Sequence, residues 1–146
     1  MTLREQVEEV VDAALSAAVA DGSLPLEEVP AAALERPRDA ANGDWASTVA
    51  LRAAKAAHMK PRDVAEVVVS HLPENDLIAS TEIAGPGFVN IRLTNAALAS
   101  VIAEARREGM DFGRGEAPAN AGRINLEYVS ANPTGPMHVG HGRWAA

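Results

Sequence analysis

The sequence contains no cysteine, which excludes a disulfide framework and a thiolate metal centre and is compatible with a reducing cytoplasm. Aromatic residues are scarce at 3%, against a hydrophobic share of 47%, much of it alanine. That balance implies helices packed closely through small side chains rather than a core built on rings. Long apolar runs are missing too. The opening MTLREQVEEVVDAALSAAVADG threads acids through its apolar positions and so fits neither a signal peptide nor a membrane span. Positive charge is outweighed, with a net charge of −7. This argues against a free-standing nucleic-acid binder, because phosphate contacts need clustered Lys and Arg; any RNA binding must be local or assisted. The 146 residues suffice for one domain with a full core, and a second unit beside it must be incomplete.

What is present reads as alternating helix and strand. Leu3, Val7, Val10, Val11, Ala14, Leu15 and Ala18 recur at helical spacing, with Glu5, Glu8, Glu9 and Asp12 on the other face, which predicts an amphipathic helix over 2–20 that stops near Gly22. Pro25 and Pro30 break the chain. A short edge strand is expected within 32–36, before the turn-rich RPRDAANGD. The alanine-rich run 45–58 predicts a helix capped by Asp44. Pro61 opens another, with Val64, Val67, Val68 and Leu72 as its buried stripe, so that the two form an αα-hairpin. LIASTEIAGPGFVNIRL predicts a β-hairpin turning at 85–87. Thr94 can cap a helix whose Leu98, Val101, Ile102 and Ala105 share a face and which Gly109 ends. Residues 109–122 read as a linker, 123–129 as a strand, SANPTGP as a loop and MHVGHGRWAA as the start of a helix. The chain stops inside that element without a cap, which points to truncation. The fold expected over 1–108 is α+β, with helices on one face of a small antiparallel sheet.

Two places can carry chemistry. In the second strand of the hairpin, alternation sends Val89, Ile91 and Leu93 to the core and Phe88, Asn90 and Arg92 to the opposite face. A ring, an amide and a guanidinium in a row can stack a base, read its edge and hold a phosphate. The alternative is that Phe88 packs under a loop while Asn90 and Arg92 are merely solvated. The second place is YVSANPTGPMHVGHGR, where Ser130 and Asn132 follow a strand and His138 and His141 lie near a helix start. Gly135, Gly140 and Gly142 would let a ligand approach the backbone. Two imidazoles three residues apart can face one polyphosphate and stabilise developing charge. They can equally be surface or capping residues. A metal pair lacks any nearby carboxylate or cysteine ligand, so no metal site is expected.

The run 127–143, EYVSANPTGPMHVGHGR, closely resembles the signature of bacterial-type arginyl-tRNA synthetases. Its His-Val-Gly-His core is shared by class I synthetases, and the preceding SANPTGP narrows the match to the arginine enzyme. Gly43-Asp44-Trp45-Ala46-Ser47 with its alanine-rich sequel, and Gly85-Pro86-Gly87-Phe88-Val89-Asn90, resemble that family's N-terminal appended domain. The resemblance implies a ligase that activates arginine with ATP, magnesium assisting the phosphates, and transfers it to the terminal adenosine of tRNA-Arg. It implies that His138, Gly140 and His141 contact ATP, with the two histidines stabilising the transition state, and that Ser130 and Asn132 help hold arginine. It also implies that the appended domain reaches the tRNA elbow and reads a D-loop base with the strand bearing Phe88, Asn90 and Arg92, where many relatives have tyrosine in place of Phe88. On this basis 1–108 is a tRNA-recognition domain, 109–122 a linker, and 123–146 the first strand, loop and helix start of a Rossmann-like catalytic domain with its signature at 131–141. The remaining catalytic body, its lysine-bearing second signature and the anticodon-binding domain are absent, so the chain alone is expected to be inactive. A cytoplasmic, monomeric protein is the accompanying expectation. The rivals are an acidic helical protein-interaction module using the first helix and a small nucleotide-binding protein using the HVGH loop alone.

Overall fold

A computed structural model of the chain describes residues 1–115 and, beyond them, 122, 123, 125, 127, 135, 136, 138 and 139. The chain divides into two compact units, Met1–Phe112 and Gly113–Ala146. The expected strand over 123–129, the signature loop and the Rossmann-like start fall mostly outside the described residues.

The first helix, α1 (Leu3–Ala20), begins where the sequence supplies a reciprocal cap. The Glu5 N–H donates to Thr2 Oγ1 at 3.3 Å and the Thr2 N–H to Glu5 Oε2 at 2.6 Å, satisfying two of the free amides at the helix start. Val7, Val11, Ala14, Leu15 and Ala18 are its buried stripe, as the periodicity predicts. After the helix the chain doubles back, with Leu24 N–H bonded to Ala18 O at 2.8 Å and the Leu24 side chain fully buried. Farther on, the Ala32 N–H donates to Asp12 Oδ1 at 2.8 Å.

Four antiparallel strands form one sheet in the order β1 (Leu34–Glu35), β2 (Trp45–Ser47), β4 (Phe88–Leu93), β3 (Ile78–Ala84). The expected edge strand within 32–36 and the expected hairpin are both present. The expected helix over 45–58 is corrected. Trp45–Ser47 instead pairs with Ile91–Val89 in the middle of the sheet, and the only α-helix in the run is α2 (Val49–Ala53), followed by turns. Asp44 does not cap that helix: its carboxylate accepts the Leu93 N–H at 2.8 Å, while its own N–H donates to Ile91 O at 2.9 Å. Alanine's helix propensity is a weak prior, and a central position in a sheet overrides it.

On the core face lie α2, α3 (Pro61–Ser70) and α1. In α3, Val64, Ala65 and Val68 are buried, whereas the expected Val67 and Leu72 are only partly so. The core is built from valine, leucine and isoleucine interleaved with alanines such as Ala14, Ala50, Ala53 and Ala65, with no ring fully buried among the described residues. This is the close small-residue packing that the composition implies. The last helix, α4 (Asn95–Glu108), is capped by Thr94 Oγ1, which accepts the Ala97 N–H at 3.0 Å. Only Ala97 of α4 is buried; Leu98 and Ile102 on its apolar face are exposed. Among the described residues no helix is long and apolar enough to cross a membrane.

Candidate nucleic-acid interface

Strand register builds the outer face of the sheet. Glu35 pairs with Ala46, Ala46 with Asn90, and Asn90 with Glu82, so these four side chains stand in one row across all the strands. Phe88 stands next along β4, opposite Ala84. The smallness of Ala46 opens a depression between Glu35 and Asn90. The loop after β1 closes it on one side, making a cleft of about 460 Å³ lined by Glu35, Arg36 and Arg38 on that side and by Ala46, Phe88 and Asn90 from the sheet.

The loop is pinned at several points. Asp39 Oδ1 accepts the Ala41 N–H at 2.9 Å at the start of a 3-10 turn, Ala40–Asn42. Arg92 donates to the Ala41 carbonyl. Gly43, at φ +104, lies so close to β4 that a Cβ there would stand 2.7 Å from Ile91 O, a place only glycine can occupy. A comparable approach holds the other end of β4: a Cβ on Gly87, at φ +146, would stand 2.8 Å from the Pro61 backbone, locking the hairpin turn onto the start of α3.

The three residues singled out on β4 fare differently. Asn90 is only 6% exposed, yet no described residue hydrogen-bonds to its amide, which opens into the cleft. Phe88 is half-buried and forms part of the wall. Arg92 does not line the cleft; its guanidinium is engaged by the loop carbonyl. The cationic edge is supplied instead by Arg36 and Arg38, both exposed. Arg36 stacks on the Trp45 ring at 4.9 Å, with Arg4 5.8 Å from the same ring. Sequence reasoning passed over this pair because they fall in a turn-rich segment; the dibasic Arg36-Pro37-Arg38 was the available signal.

The acids of α1 are largely engaged locally. Glu5 closes the cap and its carboxyl is held below the usual carboxylate range by the Thr2 backbone N–H, Glu8 pairs with Arg4 at 2.9 Å, and Asp12 receives the Ala32 amide. No cluster of three or more His, Asp or Glu that would suit a metal occurs among the described residues. His138 is described and lies in the second unit. Ser130, Asn132, Gly140 and His141 lie outside the described residues.

A family model described as the arginyl tRNA synthetase N terminal domain matches residues 5–93. The chain belongs to this family. The matched synthetase domain takes in every strand of the sheet and the whole cleft. Over 144 residues, 99% of its length, the chain is 47% identical to the arginine–tRNA ligase of Thioalkalivibrio sulfidiphilus, of which it covers 24%. It is also 47% identical to that of Halorhodospira halophila over 145 residues, 25% of that relative, and 48% identical to that of Bifidobacterium animalis subsp. lactis over 128 residues, 21% of it. The chain thus spans about a quarter of the length of the curated relatives it matches.

Proposed function

We propose that the chain is the tRNA-docking portion of an arginine–tRNA ligase, a longer polypeptide that activates arginine with ATP and transfers it to tRNA-Arg. The observation that carries the docking role is the cleft in which Asn90, a largely buried residue, turns an amide with no hydrogen-bond partner among the described residues toward the opening, beside Phe88. No buried side-chain polar atom among the described residues lacks a partner, so the Asn90 amide keeps contact with solvent through the cleft and can exchange that water for a ligand. An unpaired base satisfies both groups together, its face against the Phe88 ring and its edge hydrogen-bonded to the amide. The cleft volume of about 460 Å³ falls within the range of small-ligand sites. A loop or elbow nucleotide of tRNA fits this chemistry.

In this reading the first unit performs no bond chemistry. It uses contacts far from the reacting centre to orient the acceptor end, which raises the efficiency of the chemical step elsewhere. Arginine activation belongs to the longer polypeptide, with His138, Gly140 and His141 at the ATP, Ser130 and Asn132 at arginine, and magnesium on the phosphates as part of the substrate complex. The chain of 146 residues does not charge tRNA by itself. The protein works as a cytoplasmic monomer.

The test is Phe88→Ala in the full-length ligase. Loss of base stacking lowers kcat/KM for tRNA-Arg by about tenfold, on the scale of stacking energies for single bases, while ATP and arginine KM values hold. Phe88→Tyr, which keeps the ring, retains activity. Unchanged tRNA kinetics in the alanine variant removes the base-reading role.

A further inference from the structure

Four arginines of the first unit, Arg36, Arg38, Arg52 and Arg106, make no hydrogen bond or ion pair with a described residue, and of these only Arg36 and Arg38 line the cleft. Arg4 is bonded to Glu8 and to Leu34 O, Arg62 lies 3.8 Å from Glu66, Arg92 holds the Ala41 carbonyl, and Arg107 lies near Glu104 and Glu108. Arg38 has no hydrogen bond or ion pair with any described residue, although it lines the cleft. Arg36 beside it has only the Trp45 face, which supports the plane of the guanidinium and leaves its N–H edge open. Two guanidinium groups with open N–H edges therefore line the cleft into which the unpartnered Asn90 amide opens.

We infer that Arg38, assisted by Arg36, forms a phosphate clamp at the mouth of the cleft and grips the phosphodiester next to the base held by Phe88 and Asn90. This inference rests on reading the cleft as a nucleotide site and adds to it the group that fixes the nucleotide's backbone. The charges around the cleft set where the anion goes. Glu35 and Glu82 stand in the same row as Asn90, so the sheet side repels a phosphate and favours the N–H edge of a base. The loop side offers the two cations. Asp39 on that loop has its carboxylate engaged by the Ala41 amide. Pro37 fixes φ between the arginines, and the contacts of Ala41 and Gly43 pin the rest of the loop, so little ordering is required on binding. A chain of net charge −7 can thereby meet RNA through a small basic mouth.

The deciding experiment measures tRNA-Arg charging by the full-length ligase across a series of salt concentrations for wild type, Arg38→Gln, Arg38→Lys and Phe88→Ala. Arg38→Gln is expected to raise KM for tRNA about fivefold with little change in kcat, and to make the slope of log(kcat/KM) against log salt shallower by about one, the signature of one lost phosphate contact. Arg38→Lys keeps the charge and most of the slope. A wild-type KM and slope in Arg38→Gln overturns the clamp; if Phe88→Ala is still impaired, the base cleft stands without it. If Phe88→Ala is also unimpaired, the nucleotide reading of the cleft fails and the clamp with it.

Discussion

The imidazole of His71 lies between a carboxylate and a carbonyl. Its Nε2 is 2.8 Å from Asp21 Oδ2 and its Nδ1 is 2.7 Å from Val67 O, an arrangement that suits a ring protonated on both nitrogens. It joins the ends of α1 and α3. The Asp21 hydrogen bond, followed by the Val67 carbonyl, raises the His71 pKa above 6.5; the bond to His71, helped by the Ser23 amide, lowers Asp21 from 3.8 to about 2. For the histidine, whose folded pKa is raised, the contribution to stability is full below 6.5 and lost as pH rises through the raised value. For the aspartate, whose folded pKa is lowered, it is full above 3.8 and lost as pH falls through about 2. The contact is therefore strongest between 3.8 and 6.5. Urea midpoints of the wild-type chain should decline as pH rises past 6.5, and His71→Gln should flatten that decline. An identical pH profile in the variant would show that the pair is not coupled to folding.

At the same scale, the alternation of β4 was legible in the sequence: Val89, Ile91 and Leu93 are buried on the core face as the period of two requires. Alternation tells which residues share a face but not what covers it. It set Arg92 beside Phe88 and Asn90, whereas the loop carbonyl of Ala41 engages that guanidinium and the cations at the cleft come from a distant segment.

Elements with a strong local signature matched their sequence reading: α1 with its capping box, α3 starting at Pro61, the β3–β4 hairpin, and α4 capped by Thr94. The element that did not was β2, three residues whose state is set by the strands on either side of it. Trp45, Ala46 and Ser47 carry no strand pattern long enough to compete with the alanines that follow, and only pairing with β1 and β4 reveals them. That strand is held at its entry by Gly43. Gly43→Ala would force a side chain into positive φ and against the Ile91 carbonyl, and should cost about 2–4 kcal/mol by chemical denaturation, since backbone strain and steric conflict act together. A loss well under that would mean the loop yields easily, and with it the fixed shape of the cleft. The apolar face of α4 is a further element-scale finding: periodicity identified Leu98 and Ile102 as sharing it, but their exposures of 43% and 65% could not be read from spacing.

For the whole molecule, composition foresaw the alanine-rich core, in which no ring is fully buried among the described residues. The family is shown by the match over 5–93 and by relatives near 47% identity, yet the chain spans only about a quarter of their length. In the function proposed above, the sheet and its pinned loop would hold one nucleotide of tRNA, and the longer polypeptide would complete the arginine chemistry. The most direct measurement is arginine charging of a tRNA-Arg transcript by the polypeptide extended to the length of its relatives, with the 146-residue chain assayed alongside. Charging by the long form only is the predicted result. Failure of the long form on a transcript that a known ligase charges, or charging by the short chain alone, would contradict the account.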